Sequence, residues 1–270
     1  MATLRTNNPA MHVFAKPQTW DDFFSPGSSA GAVARERPTT MTVQGAVNKT
    51  LLLLGLTAAT AIATWIALSG TLTLRGASGT TLALAAGGGI VGVILALIMG
   101  FRPASAPFLA PIYAVMEGAF VGAVSLLYAS NPKWGSPIVL QAGLLTFGIL
   151  GAMLLAYKMR LIVATDTFRR CIVAATGGLF LMWIVCLVLN LVGVNVGYLW
   201  SWGPIGLGIA AVIVVIAALN LVLDFDFIEK GAQASLPRSY EWYAGFALLA
   251  SLIWLYLSIL RLLAMLADRR

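Results

Sequence analysis

Residues Pro204–Glu229, PIGLGIAAVIVVIAALNLVLDFDFIE, decide the fold. The run is apolar as far as Leu223 and then turns acidic, with Asp224, Asp226 and Glu229 inside six residues. An apolar stretch of roughly 20 residues matches the ~30 Å hydrocarbon core of a bilayer. In lipid no water satisfies backbone N–H and C=O groups, so the stretch has to be a helix. Pro204–Ile228 is therefore read as a transmembrane span. Six further runs of similar length share its character: Leu51–Gly70, Thr81–Phe101, Pro107–Tyr128, Ile138–Tyr157, Cys171–Val192 and Trp242–Ala267. Breaks such as Arg102-Pro103, Asn131-Pro132-Lys133 and Lys158 to Arg170 separate them. The alternating pattern of a membrane β-barrel is absent. These features predict an all-α bundle of seven transmembrane helices over residues 46–270, preceded by a flexible polar tail over 1–45.

Composition supports the same solvent. The chain is 60% hydrophobic and 10% charged, with a mean hydropathy of +0.90, whereas soluble domains carry about 25% charged residues. The net charge of +7 sits largely in the tail and in short loops. No basic patch with interleaved aromatics accompanies it, so nucleic acid is not an expected partner. The single histidine, His12, is in the tail, which argues against His-based catalysis and a zinc site. Cys171 and Cys186 lie about 22 Å apart along one helix, too far for a disulfide. Gly203, Gly206 and Gly208 open a membrane span and do not follow a strand, so they are no nucleotide loop. No cofactor and no enzyme activity are expected.

The tail lacks the apolar core of a cleaved signal peptide, so targeting would rest on the first span. Its Trp20-Asp21-Asp22-Phe23-Phe24 cluster is expected to be weakly ordered. With the N-terminus cytoplasmic, the inside segments hold twelve Lys and Arg residues and the outside segments four. The positive-inside rule therefore predicts N-inside and C-outside. Trp200 and Trp202, and Trp242 and Tyr243, fall where interfacial aromatic belts are expected. Glycine pairs such as Gly88/Gly92 and Gly118/Gly122 have the small-xxx-small spacing that lets helices approach closely. Gly148 and Gly151 lie in the fourth span.

Ionisable residues at membrane depth are the natural functional candidates, because placing them there costs about 2.5–3.5 kcal/mol. Asp224 and Asp226 diverge by ~200° around a helix, so they face different ways. Asn220, four residues before Asp224, is expected to share its face; Asp226 and Glu229 share another. Glu117 lies near the middle of the third span. Arg261, three residues after Ser258 in the seventh, is a possible counter-charge or a snorkelling residue. Carboxylates inside a bundle are proton-sensitive sites for hard cations, which an ionised acid attracts and a protonated one does not. A transient cation such as Ca²⁺ is expected at Asp224.

The motifs resemble the Bax inhibitor-1/YccA (TMBIM) family, in particular its bacterial branch with an extended N-terminal tail. The residues that carry the resemblance are Asn8-Pro9, Met41 to Gly45 with Asn48-Lys49-Thr50, Ala110 to Tyr113 with Glu117-Gly118 and Gly122, Gly203 to Gly206, Ala218 to Glu229, and Trp254 to Leu257. The resemblance implies a seven-helix bundle in the bacterial cytoplasmic membrane that mediates pH-sensitive calcium leak, with links to stress responses. It also implies a pore closed by two aspartates, one late in the sixth helix and one in the seventh. The first carries over to Asp224; the position of the second is Ser258 here. Ser258 also lies some 16 residues into its span, ~24 Å along a helix, while Asp224 is about one turn from its span's end. A modified acidic site is expected, with Glu117, Asp226 or Glu241 as the other candidate acids. An alternative reading is a regulatory protein that binds other membrane proteins, such as a protease or stress factor.

Overall fold

The computed structural model describes residues 40–70, 79–193 and 203–269. His12, the Trp20 to Phe24 cluster, Trp200 and Trp202 lie outside them. Seven helices make up the described chain: α1 Val43–Ser69, α2 Gly79–Phe101, α3 Ala106–Ala129, α4 Pro137–Lys158, α5 Asp166–Leu191, α6 Pro204–Gln233 and α7 Ser239–Ala267. All seven contain a stretch long and apolar enough to cross a membrane. The all-α, seven-span expectation holds.

Each helix is longer than its expected span, although α1 and α5 stop one residue sooner at their C-terminal ends. Local chemistry explains this. The Thr42 hydroxyl accepts the Gly45 N–H at 2.9 Å, capping α1 eight residues before Leu51. Residues 41–45, placed with the tail by sequence, thus belong to the folded part, and Met41 is buried. The Thr165 hydroxyl accepts the Phe168 N–H at 3.2 Å, so Arg169 and Arg170 lie inside α5. Prolines open α3, α4 and α6, where a missing N–H removes no helical bond. At the other end α6 continues past Ile228 to Gln233. The acidic string is therefore fully helical, and a five-residue connection, 234–238, turns the chain into α7.

α3 and α7 are the most buried helices and α5 the least. The predicted glycine pairs carry the closest crossings. A Cβ on Gly118 would run into the Thr60 side chain and the Thr57 carbonyl, and one on Gly122 into the Ala61 backbone. The Thr57 hydroxyl adds a cross-helix bond to Ala114 O at 3.1 Å. On the other side of α3, Gly88 meets Phe120 and Gly92 makes room for Glu117. Gly148 and Gly151 of α4, by contrast, face open space. Outward-facing Ile62, Ile66, Leu140, Leu144 and Leu181 give the bundle an apolar exterior, as expected where lipid is the solvent.

The two ends of the bundle are polar. At one end, where α6 joins α7, Glu241 accepts the Thr42 N–H at 3.0 Å and the Thr42 hydroxyl at 2.9 Å. Its carboxylate thereby sits at the positive N-terminus of α1, a favourable place for an anion. Only glycine fits beneath it, because a Cβ on Gly45 would overlap the carboxylate. At the opposite end, Lys133 and Asp268 form an ion pair at 2.6 Å.

Candidate functional site: an acidic niche between the sixth and seventh helices

The last three turns of α6 distribute their acids among three neighbouring helices. Asp224 faces α7. Its carboxyl lies against the side chain of Ser251, and Tyr243, two turns earlier on α7, is close enough to feel its charge. Among the described residues its buried Oδ2 has no hydrogen-bond partner. An acceptor withdrawn from water and left unfilled costs free energy comparable to a lost hydrogen bond.

Asp226 turns the other way, as the ~200° divergence requires. It accepts from Lys230 at 2.8 Å and from Arg169 of α5 at 3.3 Å. Two cations on one buried carboxylate make it a structural tie with its charge already balanced. Glu229 accepts the Tyr157 hydroxyl of α4 at 2.5 Å. α4, α5 and α6 are thus tied together beside the niche, while among the described residues Asp224 forms no ion pair.

The remaining candidates are placed as follows. Asn220 does not share the Asp224 niche: its amide donates to Thr176 of α5 at 2.9 Å and to Ile216 O at 2.9 Å. Thr176 of α5 offers the Asn220 amide an acceptor within reach. Ser258 donates to Trp254 O at 2.7 Å, within its own helix. It lies seven residues past Ser251, about 10 Å further along α7. Arg261 is a further turn on, beside Tyr128 of α3, so it is not the counter-charge of Asp224. Glu241 is occupied at the start of α1.

Glu117 is buried in α3 beside Gly92 of α2 and is hydrogen-bonded to Tyr113, one turn earlier. Rings connect it to the niche. Tyr113 meets Phe246 edge-to-face at 4.9 Å, and Phe246 lies 6.0 Å from Tyr243. The two buried acids without a basic neighbour therefore stand at the ends of one aromatic row crossing from α3 to α7.

Sequence reasoning missed Ser251, Tyr243, Thr176 and Arg169. Ser251 was reachable in principle by counting outward from the α6–α7 connection, because antiparallel neighbours meet at similar distances from their turn. Among the described residues no three His, Cys, Asp or Glu side chains stand close enough to hold a metal ion. Ca²⁺ takes 6–8 oxygen ligands. The niche offers one carboxylate and the Ser251 hydroxyl, fewer oxygens than such a shell takes.

Comparison with known proteins agrees with the fold. A family model described as Bax inhibitor 1 like matches residues 10–268. No curated protein and no solved structure matches the chain.

Proposed function

This chain belongs to the Bax inhibitor 1 like family, and on that premise we propose that it is a proton-sensitive cation leak path with Asp224 at its centre. The observation that carries the reading is the Oδ2 of Asp224, buried and unpartnered beside Ser251 while the neighbouring Asp226 is doubly paired. Ionised, Asp224 attracts a hard cation such as Ca²⁺, with the Ser251 hydroxyl as an auxiliary ligand; protonated, it does not. Flux should therefore fall on acidification. Glu117 serves as a second acidic station at the far end of the aromatic row. The family's seventh-helix aspartate is absent at Ser258, so a single acid and not an acid pair senses the proton. The niche lies at the membrane end where Lys and Arg are densest, which the positive-inside rule assigns to the cytoplasm.

The test is ⁴⁵Ca²⁺ flux into proteoliposomes between pH 5 and 8, comparing the native chain with Asp224→Asn. The expected outcome is flux that declines with acidification in the native chain and is low and nearly flat with pH in the variant. Flux equal to that of empty liposomes, with folded protein confirmed, overturns the reading.

A regulatory role through binding other membrane proteins is the second reading. It draws on Gly148, Gly151, Gly177 and Gly178 of α4 and α5, which leave open space on outward faces where a partner helix could approach closely.

A further inference from the structure

Between α1 and α4, over a floor made by α3 and α7, runs a cavity of ≈ 680 Å³. It is separate from the acidic niche: neither Asp224 nor Glu117 lines it. We propose that this groove is a binding site for an acyl chain of a bilayer phospholipid.

Three observations carry the assignment. The first is chemical. The hydroxyls along the groove between its ends spend their hydrogen bonds on the protein: Ser125 and Tyr256 bond each other at 2.7 Å, Thr57 donates to Ala114 O at 3.1 Å, and Thr146 to Ala142 O at 2.7 Å. A cavity that held water or ions would present such groups to its contents, since ordered water needs two to four polar partners. This one presents hydrocarbon. The second is continuity with the lipid-facing surface. Ile62 of α1 and Leu140, Leu144 and Phe147 of α4 line the groove and are also exposed on the bundle's exterior. The mouth therefore opens sideways, into the region where bilayer chains lie.

The third is size. On α4 the groove runs from Ser136 to Phe147. Those ~16 Å are about half of the ~30 Å hydrocarbon core, the depth of one leaflet. A single acyl chain has that reach, and the lateral mouth opens where such chains lie. Gly143, midway along this wall, has open space where a Cβ would stand, and it supplies part of the width.

The experiment is native mass spectrometry of the full chain after gentle detergent extraction and washing. The expected result is a species carrying one phospholipid in the native chain, lost in Gly143→Trp, which fills the groove. It should persist in Gly177→Trp, which adds the same bulk in open space on α5. A phospholipid adduct retained in Gly143→Trp, an adduct with the mass of a free fatty acid, or a lipid-free dimer overturns the proposal. Should Gly143→Trp fail to fold, photolabelling of the native chain with a diazirine-bearing phosphatidylcholine decides. Label on Leu252, buried on the groove floor, supports the site; label confined to Ile62, Leu140 and other exposed residues overturns it.

Discussion

Asp224 and Asp226 are two residues apart and chemically identical, yet their surroundings give them different work. Asp226 is held by Lys230 and Arg169 and ties α5 to α6. Asp224 has a serine, a tyrosine and an unfilled lone pair. The helical repeat made this divergence legible in the sequence; the identity of the partners was not. The family resemblance points to Ser258 as the seventh-helix residue of the site; that hydroxyl donates to Trp254 O, and the serine beside Asp224 is Ser251, which the proposed reading puts in the site. Ser251→Ala should therefore lower Ca²⁺ flux by about 3–10-fold, the worth of one hydroxyl contact of ~1 kcal/mol. Ser258→Ala should leave flux within about twofold, because it removes only a bond to its own helix. Proteoliposome assays of both variants, run beside the native chain, distinguish the two serines. Loss of flux in Ser258→Ala alone would reinstate the position implied by the resemblance.

At the scale of the helix, glycine spacing is a pattern whose meaning depends on the neighbour. Gly118 and Gly122 seat α1 on α3, and a side chain on Gly122 would meet the Ala61 backbone, which has no rotamer to yield. Gly148, three residues before Gly151 in α4, has only open space where a Cβ would stand. Gly122→Ala should destabilise the bundle by about 1–3 kcal/mol, the usual cost of overpacking. Gly148→Ala should be neutral or stabilising by up to about 1 kcal/mol from helix propensity. Thermal unfolding of the two variants in one detergent checks the contrast; equal midpoints would mean that the α1–α3 crossing is looser than described. Helix ends show the same dependence on context. Thr42 and Thr165 cap α1 and α5, although the sequence reading places both outside the spans. What fixes the start of α1 is Glu241, 199 residues away, bonding Thr42.

For the whole molecule, the two polar ends follow from chain direction alone. α1 begins, α2, α4 and α6 end, and α3, α5 and α7 begin on the side of the acidic niche. The Lys133–Asp268 pair marks the other side. Under the proposed reading, the distribution of Lys and Arg predicts that the niche side is cytoplasmic. With Cys171 and Cys186 both replaced by Ala, Asp268→Cys should react with a membrane-impermeant maleimide applied to intact cells. Ser235→Cys, in the α6–α7 connection, should react only after permeabilisation. The reverse pattern would invert the orientation and place the niche outside.

The sequence by itself determined the solvent, the helix count and the shortlist of acids. Each is a property of one segment at a time: apolar length against bilayer thickness, and the cost of charge in lipid. It did not determine helix ends to better than several residues, because polar first and last turns look like loops until their caps are known. The pairing of Asp224 with Ser251 depends on where the 234–238 connection begins and ends, and on the rotation of α7 against α6. The groove depends on α1 and α4 standing apart while both pack on α3 and α7. Only tertiary structure decides such features, since they arise from distances between segments that carry no trace of one another in their own sequences.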